Sequence, residues 1–329
     1  MIVVTGGAGF IGSSIVWALN QRGKDNILIV DHLGKDNDKW RNLAPLRYIE
    51  YLERDSFIDC VENDTLPDNI SCIIHFGACA ATTETDNTYL VKNNFKYTEA
   101  IASYCLDKHI RLIYASSAST YGNGEAGYKD NLDSLEDLRP LTMFGYSKHM
   151  FDQWVKRNDV SDDMVGLKFS NVYGPNEYHK GSMKSIVLSA YEQIQKTGKV
   201  QLFKSHKKDY EDGEQMRDFI YIKDVVDIVL HFLDHPEING IYNAGSGKAR
   251  TWNDLAKAVF KALGKEQNIE YIDMPDSLKH KYQYFTELDM SNLQKTGFNV
   301  KFRSLEKNIE DYVQNYLLKN RHLGDELLD

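Results

Sequence analysis

The stretch Gly6-Gly-Ala-Gly-Phe-Ile-Gly12, entered directly from the β-branched run Ile2–Thr5, restricts the fold more than any other part of this 329-residue chain. Gly6 permits a tight turn out of the strand. Gly9 lets backbone N–H groups come up against a pyrophosphate, and Gly12 lets the following helix pack closely on the sheet. A glycine triplet alone is a weak signal. Here it leaves a strand, opens the helix-like segment Ser13–Arg22, and is followed by a second strand, Ile27–Asp31, whose last carboxylate stands where a ribose hydroxyl would be bound. The combination predicts a βαβ unit with a dinucleotide at its turn.

Cys72–Phe76, Arg111–Ser116 and Val165–Phe169 read as further strands, alternating with helix-like segments such as Thr88–Lys108. That alternation predicts an α/β fold of Rossmann type, a doubly wound parallel sheet with helices on both faces. The rhythm changes at about residue 170. An amphipathic stretch follows at Gly181–Thr197, then a charged segment at Lys204–Gln215 that reads as a solvated loop, then a helix-like run after Ile222. Thr251-Trp-Asn-Asp254 has capping-box spacing ahead of a helix ending near Gly264. The expected organisation is a dinucleotide-binding domain of residues 1–169 with return segments at about 218–246 and 282–298. Residues 170–217, 247–281 and 299–329 would build a smaller α/β substrate lobe.

With 42% hydrophobic residues the chain can bury the core of such a two-lobed unit. A net charge of −9 argues against a nucleic-acid partner, which needs clustered surplus cations. No apolar run approaches the roughly 18 residues of a membrane span, and Met1 leads into a strand without a basic leader. Cys60, Cys72, Cys79 and Cys105 form no C-x-x-C pair and no zinc spacing, so they read as thiols of a reducing compartment, with no metal expected. The expectation is a soluble cytoplasmic protein that handles a small molecule.

A carboxylate at Asp31 suits a free ribose 2′-hydroxyl, whereas a 2′-phosphate needs cations nearby. Lys35, Lys39, Arg41 and Arg54 follow the same edge, beside His32, and tilt the reading from NAD towards NADP. Phe76-Gly-Ala-Cys-Ala80 follows a strand end, where small residues let the chain lie against the cofactor. Asn93, in the next helix, joins Phe10 and Ile11 of the glycine loop as a candidate contact, though it reads equally as a core or capping asparagine.

Leu141-Thr-Met-Phe-Gly-Tyr-Ser-Lys-His-Met150 looks like the opening of a catalytic helix in which one residue has the wrong chemistry. Taken with the glycine loop, Ala115-Ser-Ser-Ala-Ser-Thr-Tyr-Gly122, Phe169-Ser-Asn-Val-Tyr-Gly-Pro175 and Arg217-Asp-Phe-Ile-Tyr-Ile-Lys-Asp224, it resembles the extended short-chain dehydrogenase/reductases. That family comprises nucleotide-sugar epimerases and dehydratases. His179-Lys-Gly-Ser-Met183, Gly77-Ala-Cys-Ala-Ala-Thr-Thr-Glu84 and Lys281-Tyr-Gln-Tyr-Phe-Thr286 are more narrowly similar to its ADP-glycero-manno-heptose 6-epimerase branch, and the resemblance covers nearly the whole chain.

The resemblance implies that hydride leaves the sugar for NADP⁺ and returns to the opposite face of a carbonyl intermediate that rotates in the site. A tyrosine takes the hydroxyl proton, stabilised by a lysine four residues on along one helical face. Here Phe144 occupies the tyrosine position and Lys148 the lysine position, which also bonds the nicotinamide ribose. Ser117 would hydrogen-bond the reacting oxygen, and Lys180 matches the base that serves the second epimer. Val172 matches a cofactor contact. Asn171, His179, Ser182, Ser189, Phe203, Lys204, Ser205, His206, Arg217 and Tyr282 match positions lining the nucleotide-sugar pocket, with the planar fork of Arg217 suited to a diphosphate. The charged insertion before Arg217 is longer than the family pattern, which leaves the register of Ser205 to Gln215 open. Homo-oligomers are implied by the family.

Rival readings differ in named residues. A 4,6-dehydratase needs an Asp-Glu pair after the threonine that follows the fifth strand, and Thr120 is followed by Tyr121 and Gly122. A UDP-hexose 4-epimerase shares the cofactor loop and the helix, but the His179–Met183 stretch is not part of its pattern. A non-catalytic protein that holds NADP and a nucleotide sugar has Phe144 as its whole case. The reading preferred on the sequence is an ADP-heptose epimerase of lipopolysaccharide-precursor synthesis carrying a Tyr→Phe substitution at 144, able to bind its ligands far better than it turns them over.

Overall fold

The computed structural model describes residues 1–35, 37–279 and 282–325. Lys281, the first residue of one family-like motif, lies outside the described residues. The first half alternates as the sequence predicts: β1 (Ile2–Thr5), α1 (Phe10–Gln21), β2 (Ile27–Asp31), β3 (Glu50–Glu53), α2 (Arg54–Glu62) and β4 (Cys72–His75). Then come α3 (Asn87–Leu90), a π-helical turn at Val91–Lys96, α4 (Tyr97–Lys108), β5 (Arg111–Ser117), α5 (Met143–Arg157) and β6 (Met164–Phe169). The helix expected over Thr88–Lys108 is therefore interrupted, and the Tyr97 N–H reaches back five residues to Lys92 O.

Six of these strands and β10 (Gly240–Ala244) form one parallel sheet in the order β10-β6-β5-β4-β1-β2-β3. The chain moves outward to one side from β1 through β2 and β3, then returns to start β4 on the other side. The carboxyl ends of β1 and β4 thus part around a crevice at the switch point, where open α/β sheets take their ligands. Alternating residues of each strand feed two cores, with Val4 on one face and Val3 on the other.

The second half contributes β7 (Asn171–Tyr173), α6 (Ile186–Thr197), β8 (Val200–Phe203), β9 (Met216–Tyr221), α7 (Ile222–Asp234), β11 (Ala249–Thr251), α8 (Trp252–Ala262) and β12 (Ile269–Ile272). They make two small sheets, β11-β9-β7 and β12-β8, beside the carboxyl end of the large one. Helix α8 opens on the expected capping box, with the Asp254 N–H donating to Thr251 Oγ1 at 3.0 Å. One expectation needs correction. The segment 204–215 is a loop, but its end is not solvated: Gln215 is fully buried, the Ser205 N–H donates to Asp212 Oδ1 at 2.7 Å, and Asn253 Nδ2 donates to Glu214 Oε1 at 2.6 Å. Acidic side chains there satisfy backbone and asparagine donors, which composition cannot reveal.

Candidate active site

At the crevice, the glycine loop leaves β1 with Gly6 at φ +68°, and a Cβ built on Gly6 would lie 2.7 Å from the Gly77 nitrogen. The two chain ends approach this closely only because both lack side chains. Gly9 caps α1 with extended backbone, so the first-turn N–H groups of α1, unsatisfied within any helix, face the groove. Gly6, Gly9, Phe10, Ile11, Gly12, Asp31, His32, Lys39, Phe76, Gly77, Ala78 and Ala80 line that groove, together with His179 and Lys180. An adjoining recess adds Arg54, Cys79 and Asn93. A dinucleotide fits this cradle: glycine backbone for the pyrophosphate, and a charged edge for one ribose.

That edge is not a free carboxylate. Asp31 is buried, and its oxygens already accept from the Ala8 N–H at 2.8 Å, the His32 N–H at 2.6 Å and Lys39 Nζ. Arg54 donates from Nη1 to Asn93 Oδ1 at 3.1 Å, so Asn93 holds the guanidinium at the recess. Arg41 instead turns to Asp38 at 3.0 Å and leaves the edge.

The glycine groove opens into an adjoining cavity lined by Ser117, Phe144, Lys148, Asn171, Val172, Lys180 and Ser182. Thr142 caps α5 by accepting from the Gly145 N–H at 3.1 Å, which places Phe144 in the first turn and Lys148 one turn further. Lys148 Nζ donates to Ala115 O at 2.9 Å, and burial lowers its pKa to about 8. Ser117 Oγ accepts from Ser119 Oγ at 2.8 Å, leaving its own proton for a ligand oxygen. Lys180 stands 5.3 Å from the Phe10 ring centre, and burial, opposed by the Glu177 carboxylate, lowers its pKa as well. Two desolvated ammonium groups, a hydroxyl donor and the Phe144 ring therefore share a cavity that adjoins the cofactor cradle.

His179 lines the glycine groove, where Asn42 Nδ2 bridges Ala8 O, Asn176 O and the His179 ring nitrogen at 3.0–3.3 Å. Ser189 lies in α6, where its Oγ accepts from Gln193 Nε2 at 3.2 Å, outside the lining of the adjoining cavity.

Phe203, Lys204, Ser205, His206, Arg217 and Tyr282 form a separate cluster. Phe203 and Tyr282 meet edge to face at 6.4 Å, and His206 meets Tyr284, whose hydroxyl accepts from the His206 N–H at 2.8 Å. Ser205 caps the turn below, and Lys204 pairs with Asp273 at 3.1 Å. Arg217 is 6% exposed and makes no ion pair among the described residues. Its guanidinium lies 5.2 Å from the Tyr282 ring centre and 5.7 Å from that of Trp252, and donates to Gln283 O. Trp252 and Gln283 belong to the cavity wall, so this cluster abuts its far end.

Several supporting residues carry no family-like signal in the sequence. Asn94, not Asn93, clamps the cofactor loop, accepting from the Cys79 N–H at 2.8 Å and donating to Cys79 O at 3.0 Å and to Ser147 Oγ at 3.0 Å. Behind the cavity, Asp152 of α5 and Lys168 of β6 form a fully buried ion pair at 2.5 Å, joined by Ser116 Oγ at 2.7 Å. A lysine inside an otherwise apolar strand was the available hint. Among the described residues no group of His, Cys, Asp or Glu is placed to hold a metal ion, and no helix is long and apolar enough to cross a membrane.

A parallel sheet with a glycine cradle at its switch point and a lysine-bearing helix over an adjoining cavity defines a nicotinamide-dependent enzyme acting on a nucleotide-linked substrate. The chain belongs to the NAD dependent epimerase/dehydratase family, which it matches over residues 2–245. It is 49% identical over 317 residues to an ADP-L-glycero-D-manno-heptose-6-epimerase of Nitratidesulfovibrio vulgaris, covering 96% of this chain and 98% of that one. To the enzyme of the same name from Fusobacterium nucleatum it is 48% identical, covering 97% and 98%. A crystal structure of the Helicobacter pylori ADP-L-glycero-D-manno-heptose-6-epimerase superposes with a TM-score of 0.80 at 27% identity, covering 95% of each chain.

Proposed function

We propose that this chain is built as an epimerase that interconverts ADP-D-glycero- and ADP-L-glycero-D-manno-heptose at carbon 6, supplying a lipopolysaccharide inner-core precursor in the cytoplasm. We further propose that Phe144 stands where the catalytic tyrosine belongs. The observation that carries this reading is the convergence of Ser117, Phe144, Lys148 and Lys180 on one cavity beside the cofactor cradle. The names and near-complete coverage of the relatives support the substrate assignment.

The nicotinamide supplies a hydride acceptor and donor when bound. Everything else falls to side chains. Ser117 would donate a hydrogen bond to the oxygen on carbon 6, holding it while that oxygen changes from hydroxyl to ketone. Lys148, charged and nearly dry, would stabilise a phenolate at position 144 and bind the ribose. Carbon 6 lies outside the sugar ring, so the ketone can rotate and present its other face, and the second epimer then needs a base on the opposite side. Lys180 suits that task because its lowered pKa enlarges the neutral fraction able to take a proton. Arg217, without a carboxylate partner among the described residues, is available to the diphosphate, with Tyr282 and Phe203 beside it.

NADP is the proposed form of the cofactor. The Asp31 carboxylate is occupied by backbone donors and Lys39, and Arg54 faces the same recess, so this edge favours an added phosphate over a free hydroxyl. A homo-oligomer is proposed from the family resemblance alone.

The test compares this chain with its Phe144→Tyr variant on both ADP-heptose epimers and on UDP-glucose, with epimer ratios followed by NMR. Conversion of the heptoses by the variant supports the reading. A variant that converts UDP-glucose and leaves the heptoses untouched overturns it. One observation favours a second reading, a protein that only holds its ligands: position 144 has no hydroxyl. A Phe144→Tyr variant that binds NADP and ADP-heptose stoichiometrically without turnover would favour that reading.

A further inference from the structure

The wall between the cofactor cradle and α5 contains a buried histidine that none of the steps above uses. His75 ends β4, is 1% exposed and bridges two threonines: Nδ1 lies 2.7 Å from Thr5 Oγ1, and Nε2 lies 2.9 Å from Thr98 Oγ1. Two further bonds fix the direction of every proton. The Thr98 hydroxyl lies 2.7 Å from Asn94 O, a carbonyl that can only accept, so its single proton goes there and it must accept from His75 Nε2–H. At the other end, Thr5 Oγ1 accepts from the Gly77 N–H at 3.0 Å, and its own proton is left for the bare Nδ1. The chain reads Gly77 N–H to Thr5, Thr5 to His75, His75 to Thr98, Thr98 to Asn94 O.

We infer that His75, neutral and protonated on Nε2, is a positioning residue that sets the Gly77 loop against the cofactor through Thr5. Its two ends matter. Gly77 is the residue against which Gly6 packs too closely for any side chain, so the spacing of the cradle depends on where the Gly77 N–H is held. Asn94 is the residue whose side chain clamps Cys79 and reaches Ser147 of α5. A neutral ring supplies one acceptor and one donor, as this chain requires, whereas a doubly protonated ring would turn Thr5 into an acceptor from two donors and leave its own proton unused. Burial, reinforced by the nearby Lys148 ammonium, lowers the His75 pKa to about 3 and keeps the ring neutral. The π-helical turn at Val91–Lys96 brings this wall of the site together in a backbone form often found at functional sites.

The inference rests on the reading of the groove as a dinucleotide site, and the experiment separates the two. Asparagine can imitate Nδ1 and glutamine Nε2, so NADP affinity is measured for the parent chain, His75→Asn, His75→Gln and Thr5→Val, with thermal unfolding followed in parallel. The expected result is His75→Asn within about twofold of the parent, because its side-chain oxygen still accepts from Thr5. His75→Gln and Thr5→Val should be weaker by about five- to tenfold, the size of one hydrogen bond. Nitrogen NMR of the parent should show the His75 ring as one neutral tautomer, protonated on Nε2, from pH 5 to 8. Asparagine and glutamine variants of equal affinity, or a ring protonated on Nδ1, would overturn the positioning role while leaving the dinucleotide site intact. A parent chain that binds neither NADP nor NAD would remove the site and the inference together.

Discussion

Adding one oxygen atom, by Phe144→Tyr, should turn this chain into a rapid catalyst. The expected size follows from the surroundings of the ring. Positions four apart on a helix have Cβ atoms about 5–6 Å apart, so their side-chain ends can meet at a similar range, and Lys148 is 6% exposed. At that range, with an effective dielectric constant of about 20, a unit positive charge stabilises a phenolate by about 3 kcal/mol, or roughly two pKa units. A phenol normally near pH 10 would then ionise near about pH 8, within reach of its task. A positioned acid/base group contributes on the order of 10²–10⁴ in rate, equivalent to about 3–5 kcal/mol of barrier. The assay starts from one ADP-heptose epimer with NADP present and follows the other by NMR between pH 6 and 9. The variant should exceed the parent by at least about a hundredfold, with a rate that climbs towards pH 8. A parent that equilibrates the epimers within about tenfold of the variant would refute the reasoning, because the proton would then leave by a route that needs no hydroxyl at 144.

Four further outcomes are expected. In the Phe144→Tyr background, Lys180→Ala should slow interconversion by on the order of a hundredfold or more, a loss that persists at saturating NADP, checked by NMR kinetics beside calorimetry. Arg217→Met should raise the KM for ADP-heptose by about ten- to a hundredfold, the size of one lost charge-assisted hydrogen bond, and leave cofactor binding alone. Replacing Lys39 and Arg54 together by alanine should lower the ratio of NADP to NAD affinity, read from the two dissociation constants. Asp224→Asn tests linkage. Burial raises the Asp224 pKa to about 7, above its unfolded value, so the parent should lose stability as pH rises towards 7, and the difference in urea unfolding free energy between pH 5 and 8 should shrink in the variant.

The sequence made the scaffold legible where geometry demands particular residue types. Gly6 and Gly12 have no alternative at a switch-point turn, and the four-residue spacing of positions 144 and 148 places both on one helical face. Legibility failed where a residue acts through its neighbours. Asn93 and Asn94 are identical as letters, and only the inserted π turn decides that Asn94 grips the loop while Asn93 holds Arg54. His179 reads as a substrate contact from its motif, yet Asn42, distant in sequence, draws it to the cofactor groove. Asp212 and Glu214 of the 204–215 segment look solvated because composition records their charge and not the donors of Ser205 and Asn253 that they satisfy.

The state of the residues around Phe144 bears on how that side chain came to be there. Holding a cation in a dry site is costly unless something repays it. Lys148 donates to one carbonyl and Lys180 makes no ion pair among the described residues, yet Lys148 stays buried, Lys180 half-buried, and both have lowered pKa values. Drift away from catalysis would relieve such costs first, since a shorter or apolar residue at either position would stabilise the fold. On the proposed reading, a site that keeps both desolvated ammonium groups, a free Ser117 proton and an intact glycine cradle, and lacks one oxygen, fits a single local change better than decay. Phe144 is, on that proposal, a tyrosine with its hydroxyl removed. Replacing Lys148 or Lys180 by methionine should then raise the melting temperature of this chain, and a fall in either variant would show that the lysines are kept for structure instead.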